Sequence, residues 1–285
     1  GQLGQNTTNS PGSDAGYSSP VQVPGTNWST VSFAYRQTLA TKTDNTLWTW
    51  GADRNGNQGT NTNGVDYSSP IQIPGTWSTG YKSISQGYNT TAAIKVNTQL
   101  WAWGNNASGE LGDNTVISRS SPIQIPGGNW SQVSLSHNGT LAIKTDGTMY
   151  SWGSNTYGQL GLNNRTAYSS PIQIPGTTWN YCIASGFQSA AIKTNGELWV
   201  WGRNYYASLG QGNEINYSSP VQIPGTTWST AHTCPAQAYS LTWGMIGAKT
   251  DGTLWAWGEN QYGQLGQGND TEYSSPKQIP GTNWL

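Results

Sequence analysis

At 285 residues the chain is long enough for one large closed domain or two ordinary ones. Charged residues make up only 9%, twelve Lys and Arg against thirteen Asp and Glu, which argues against an extended nucleic-acid surface and against a polybasic patch for anionic lipid. Apolar runs of a few residues at most give no membrane-spanning helix, and 16 Trp with 15 Tyr argue against disorder.

In chain order, the first readable unit is Gly1-Gln2-Leu3-Gly4. It is followed by a Ser-Ser-Pro tripeptide that ends at Pro20 and recurs at Pro70, Pro122, Pro171, Pro220 and Pro276, with spacings of 50, 52, 49, 49 and 56. A Trp-Gly pair recurs in the same register at Trp50, Trp103, Trp152, Trp201 and Trp257. A fixed period of this kind dictates the architecture.

Within a repeat, Leu39 to Lys42 leads through Asp44-Asn45 into Leu47-Trp48-Thr49-Trp50. Asp146-Gly147, Asn195-Gly196 and Asp251-Gly252 occupy the same place in later copies. Such dipeptides between alternating apolar residues predict hairpins, because both turn residues need positive φ. The second arm carries Trp at alternate positions, so both rings of the arm share one face.

After the hairpin comes Gly-x-Asn-x-x-Gly-Gln-Leu-Gly, complete at 153–161 and 258–266 and degenerate at 51–59, 104–112 and 202–210. No helical pattern follows and no Lys-Ser/Thr pair closes it, so it is not a phosphate loop. Its glycines predict tight turns, with Leu160 as a core plug and Gln159 bonded to backbone. Tyr168 to Gly176 then reads as a brief strand bounded by prolines, which suits a sheet edge. The unit closes with Trp179 and a strand through Cys182-Ile183-Ala184.

About four strands per fifty residues, without helical periodicity, predict an all-β fold: a β-propeller of four-stranded antiparallel blades. Residues 1–285 form one propeller domain of five complete repeats and a half, with 1–28 as a partial first repeat. Because both ends carry the same half-repeat, they cannot complement each other, and the chain is expected to be a segment of a longer protein.

Trp-Gly-x-Asn-x-x-Gly-Gln-Leu-Gly followed by Ser-Pro-x-x-Ile-Pro resembles the repeat of the regulator of chromosome condensation family, over essentially the whole chain. The resemblance implies a propeller, commonly of seven blades. The family often has Gly-x-x-His-Thr before the hairpin; here Gly87 to Thr91 has Thr90 at the His position, and Gly186 to Ala190 has Ser189. His137 and His232 fall elsewhere. Nothing resembles the family's acidic wedge for a small GTPase, its basic tail, or a Trp-Arg photoreceptor cluster, so neither the exchanger nor the photoreceptor function carries over.

No nucleophile–base pair, carboxylate pair or metal-ligand spacing emerges, so no catalytic residue, metal or cofactor is expected. Cys182 and Cys234 read as buried thiols, with a bridge as the alternative. Lys42, Lys95, Lys144, Lys193 and Lys249 form a ladder that reads as solvated hairpin lysines, or else as a ring for anion capture. The Trp-Gly tryptophans read as packing between blades rather than sugar platforms.

Binding candidates come from the segments where the copies diverge and from roughly seven extra residues near 231–243: Arg54, Arg119, Arg165, Arg203, Tyr205, Tyr206, His232, Tyr239 and Trp243. An insertion of that size is expected to leave the blade. The resulting reading is a non-enzymatic module that binds a protein or glycan partner, with no nucleic acid and no membrane insertion, displayed extracellularly or on a virus particle. The alternative is an intracellular interaction scaffold of the same family.

Overall fold

The computed structural model describes residues 1–6, 19–235 and 244–284, with 230–235 as backbone. Among the described residues, twenty strands form five antiparallel four-stranded sheets, each in sequence order. The first holds β1 (Trp28–Ala34), β2 (Gln37–Lys42), β3 (Leu47–Gly51) and β4 (Tyr67–Ile73). The second holds β5 (Ile84–Gln86), β6 (Thr90–Ile94), β7 (Leu100–Gly104) and β8 (Arg119–Gln124). The third runs β9 (Trp130–Leu135), β10 (Gly139–Lys144), β11 (Met149–Gly153) and β12 (Tyr168–Ile174). The fourth runs β13 (Trp179–Ser185), β14 (Gln188–Lys193), β15 (Leu198–Gly202) and β16 (Tyr217–Ile223). The fifth is β17 (Trp228–Pro235), β18 (Gly244–Lys249), β19 (Leu254–Gly258) and β20 (Tyr273–Ile279). A single-turn 3-10 element, Tyr205–Ala207, is the only helical piece among the described residues.

The propeller of four-stranded antiparallel blades is as expected from the sequence, and the five complete repeats correspond to the five sheets. The phase differs. The strand through Cys182-Ile183-Ala184, read as the end of one repeat, opens the next blade: β13 pairs with β14 across the two-residue turn Gly186-Phe187, while residues 175–178 separate it from β12. The Ser-Ser-Pro strands β4, β8, β12, β16 and β20 each lie at a sheet edge, where proline forfeits no ladder bond.

Hairpin turns form where the sequence puts Asp or Asn. Asp146 Oδ1 accepts the Thr148 backbone N–H at 2.9 Å and its hydroxyl at 2.6 Å, with Gly147 at φ 78°. Asp44 and Asp251 do the same with Thr46 and Thr253. These bonds hold the three carboxyls below the usual range.

The opening strands β1, β5, β9, β13 and β17 lie side by side around the axis. Gln132 on β9 donates to the Cys182 carbonyl at 2.6 Å and accepts the Cys182 N–H at 3.2 Å. Ser85 and Ser134 hydroxyls accept the N–H groups of Leu135 and Ala184, each at 2.9 Å. The core is therefore a series of layers between blades. One layer joins Leu100, Leu111 and Ile125 of the second blade to Trp130, Val133 and Trp152 of the third. Equivalent layers join the first to the second, the third to the fourth, and the fourth to the fifth.

The Gly-Gln-Leu-Gly segment locks these layers. Its leucines Leu111, Leu160, Leu209 and Leu265 are buried. In the first four blades the carbonyl two residues before the segment's closing glycine accepts the indole N–H of the Trp-Gly tryptophan in the following blade. Trp103 donates to Asn57 at 2.8 Å, Trp152 to Glu110 at 2.9 Å, Trp201 to Gln159 at 2.8 Å and Trp257 to Ser208 at 3.0 Å. Gly1-Gln2-Leu3-Gly4 serves the first blade in the same way, with Trp50 donating to the Gln2 carbonyl at 2.9 Å. All five tryptophans are buried, as the packing reading requires. At typical ring areas each contributes about 4–6 kcal/mol of gross apolar burial.

Where a segment receives a ring, its final glycine is required by that ring. A Cβ on Gly112 would sit 2.6 Å from Trp152 Nε1, and its φ of +85° is already strained for other residues. Gly112→Ala is therefore expected to destabilise the protein by about 2–4 kcal/mol in denaturant unfolding. Gly128→Ala, where an added Cβ meets nothing within 4 Å, should leave the midpoint unchanged, and equal effects would refute the lock.

Candidate functional site

At one mouth of the axis, a turn of two or three residues joins the opening strand of each of the first four blades to its neighbour: Tyr35-Arg36, Gly87-Tyr88-Asn89, Ser136-His137-Asn138 and Gly186-Phe187. Each turn carries one ring. Tyr35 and Tyr88 have centroids 5.1 Å apart; Tyr88 and His137 stack at 4.9 Å with planes 13° apart; His137 and Phe187 follow at 6.2 Å and 22°. Tyr157 meets Phe187 edge-on at 5.1 Å. The Arg36 guanidinium lies over Tyr35 at 4.7 Å, at one end of the arc. At the other end Arg203 lies 4.8 Å from the Tyr157 ring and 5.0 Å from Tyr205, which touches Tyr206 at 4.3 Å.

Beneath the arc is a pocket of about 320 Å³ lined by the ends of β1, β5, β9 and β13, including Phe33, Tyr35, Gln86, Tyr88, Leu135 and His137. Phe33 is 68% exposed and Tyr35 50%. Gln86 is buried, and neither its side-chain nitrogen nor its oxygen has a hydrogen-bond partner. An orphaned buried polar group costs about 1–3 kcal/mol. Two other grooves lie between blades, one beside Lys82 and Lys144 and one beside Lys95.

Those grooves involve the lysine ladder, and here the structure departs from the reading of solvated side chains. Every ammonium sits over two rings: Lys42 on Trp28 and Trp48, Lys95 on Trp77 and Trp101, Lys144 on Trp130 and Tyr150. Lys193 and Lys249 repeat the arrangement on Trp179 with Trp199 and on Trp228 with Trp255. The cations are half-buried and engaged by ring faces, each contact worth about 0.5–1 kcal/mol at an exposed site.

Of the residues singled out from sequence, Arg203, Tyr205 and Tyr206 come together at the end of the arc. Three others lie apart, in the divergent loops and beside them. Arg54 bonds the Asp53 carbonyl at 3.0 Å and meets Asp66 at 3.5 Å. Arg119 on β8 makes a two-pronged contact with Asp113, at 3.2 and 3.0 Å. Arg165 is exposed. His232 lies in β17, where only backbone is described, and Tyr239 and Trp243 lie outside the described residues. Part of the extra length does not leave the blade: β17 pairs Trp228 with Lys249 and then Thr233 with Gly247, whereas β13 pairs Trp179 with Lys193 and Cys182 with Ala191. A bulge in β17 absorbs the difference.

The arc residues Tyr35, Arg36, Tyr88, His137, Tyr157 and Phe187 were missed. The signal was present: Tyr35, Tyr88 and His137 stand sixteen residues before Gly51, Gly104 and Gly153. It was obscured by matching Gly87 with Gly186. Gln188, opposite Gly202, is the equivalent of Thr90, opposite Gly104, so Ser189 matches Thr91 instead. His137 does fall outside the motif's histidine position, which Gly139 fills opposite Gly153; it matches Tyr88 in the turn before it.

No chemistry of a nucleophilic or metal kind assembles among the described residues. Cys182 is buried and unbridged, and burial pushes its thiol up, away from the reactive thiolate. No three His, Cys, Asp or Glu side chains among the described residues gather as ligands. No helix among them is long and apolar enough to cross a membrane.

A family model for the RCC1-like domain matches residues 1–284. The chain belongs to the RCC1-like family. No curated protein is significantly similar to it in sequence. Among solved structures, human WBSCR16 superposes on this RCC1-like chain with a TM-score of 0.73 at 22% identity, covering 88% of this chain and 67% of its own. Yeast RCC1 (Prp20), solved with Kap60 bound, gives 0.71 at 16% identity, covering 88% and 63%. Saccharomyces cerevisiae Prp20p gives 0.68 at 16%, covering 87% and 62%. The chain thus spans about two thirds of the length of these structures, and at such identities the likeness is one of fold.

Arg119 is held by its contact with Asp113. Burial opposes the Asp113 charge, but bonds from Thr115, Arg119 and Asn106 hold its carboxyl below the usual range. A lowered folded value stabilises above the ordinary carboxylate range and is lost as pH falls through the folded value. Arg119→Ala should therefore cost no more than about 1 kcal/mol near neutrality, with the gap to wild type closing in acid, and should leave partner binding intact. Urea midpoints measured between pH 3 and 7 check this, and a pH-independent gap would contradict it.

Proposed function

We propose that this chain is a non-enzymatic recognition module that grips a protein partner at the aromatic mouth and is displayed outside a cell or on a virus particle. The arc carries the reading: rings from four blades run continuously over one pocket, with a guanidinium at each end. Exposed Phe33 and Tyr35 continue into the half-buried rings of Tyr88, His137 and Phe187; accessible apolar surface of this kind marks an interface, and aromatic residues with Arg dominate the energetics of protein contacts. Prp20p of yeast was characterised for binding to Gsp1p and histones, and Prp20 was solved with Kap60; all are protein partners. A glycan partner has less support, because the tryptophans of the rim already carry lysine ammoniums on their faces. Display outside the cell rests on a surface rich in Asn, Thr and Ser and poor in charge.

Two measurements test this. An antibody to the domain should label intact cells or particles of the source; labelling that needs permeabilisation favours the intracellular scaffold. On protein and glycan arrays, wild type should give protein signals that fall at least tenfold in Phe33→Asp and Arg36→Glu, two exposed positions, with the melting temperature unchanged. Signals confined to glycans, or indifferent to both substitutions, would overturn the assignment of the mouth.

A further inference from the structure

We propose that the axial pocket is a peptide subsite in which Gln86 reads the backbone of an extended partner segment, an inference that rests on the mouth being a protein-binding face. The first observation is a broken repeat rule. Gln86 pairs with Thr91 opposite Trp103, as Phe33 pairs with Thr38, Leu135 with Thr140 and Ala184 with Ser189. Those three positions are apolar, as is Pro235 at the same place in the fifth blade, and Leu135 and Ala184 are buried there, so the repeat asks for an apolar side chain here. A carboxamide that serves no fold rule is expected at a functional position.

The second observation is its state. Gln86 is only 8% exposed, lines the pocket, and leaves both amide atoms without a partner. An NH2 donor and a carbonyl acceptor held side by side are the complement of one residue in an extended chain, whose own N–H and C=O face the same edge. The side chain is unbranched, and rotation about its last torsions turns the amide into the adjoining cavity.

The surroundings define the rest of the segment. The pocket volume of about 320 Å³ accepts one apolar or aromatic side chain against Tyr88, Leu135 and His137. The ring-to-ring steps of 5.1, 4.9 and 6.2 Å trace a path from Tyr35 to Phe187 that an extended chain covers in about five residues at ~3.3 Å each. Arg36 and Arg203 stand beyond the two ends of that path, where guanidinium groups favour carboxylates. The partner segment is an extended stretch of about five residues, with a large apolar side chain near its centre and acidic residues at its ends.

The test uses a phage-displayed library of random seven-residue peptides selected on the whole 285-residue chain. Enriched sequences should carry a large apolar residue flanked by Asp or Glu, and a synthetic consensus peptide should bind wild type measurably. Gln86→Met, unbranched and similar in size, should weaken that peptide at least tenfold while its melting temperature stays level or rises, because the orphaned amide is gone. Arg36→Glu should weaken it about tenfold. A merely structural Gln86 would lower the melting temperature on substitution and leave affinity alone. The proposal falls if no sequence is enriched over a Phe33→Asp control, or if Gln86→Met binds as wild type does. It falls equally if an oligosaccharide or single-stranded oligonucleotide probe binds the mouth and the peptides do not. A protein-array signal that still depends on Phe33 and Arg36 after such a failure leaves the mouth as an interface and removes only the peptide subsite.

Discussion

The structure depends on one hydrogen bond made five times, from a buried indole N–H to a backbone carbonyl in the preceding plug segment. An indole is large enough to fill the layer between two sheets and has a single donor that must be satisfied when buried. The carbonyl satisfies it, and the glycine that ends the segment clears the space for the ring. A blade therefore has no complete core of its own. Its apolar face is finished by the next blade, which is why the buried clusters pair neighbouring sheets.

That constraint explains how much could be read from the chain. Ser-Ser-Pro, Trp-Gly and Gly-Gln-Leu-Gly are packing rules, repeated because every interface between blades needs them, and they made the fold legible. The phase of the blade was not legible, because a strand such as β13 looks the same whether it closes one repeat or opens another; only the two-residue turn to β14 decides it.

The site was partly legible. Divergent segments pointed to Arg203, Tyr205 and Tyr206, which lie at the arc. They pointed equally to Arg119, which pairs with Asp113 away from the arc. The arc itself was hidden because its members are chemically unlike: Tyr, Tyr, His and Phe share a position in space but no single letter. Gln86 was hidden for the opposite reason, since a lone glutamine is unremarked until its counterparts Phe33, Leu135, Ala184 and Pro235 are known to be apolar.

The acceptor in each lock belongs to the main chain, so the side chain at that position is free of the bond. Gln2, Asn57, Glu110, Gln159 and Ser208 all serve. A tryptophan from any repeat can consequently dock on the plug of any other without matched substitutions. Unequal recombination among such repeats can exchange, add or remove units of about fifty residues and still leave every junction sealed, so the ring can be lengthened or its mouth recomposed in single genetic steps.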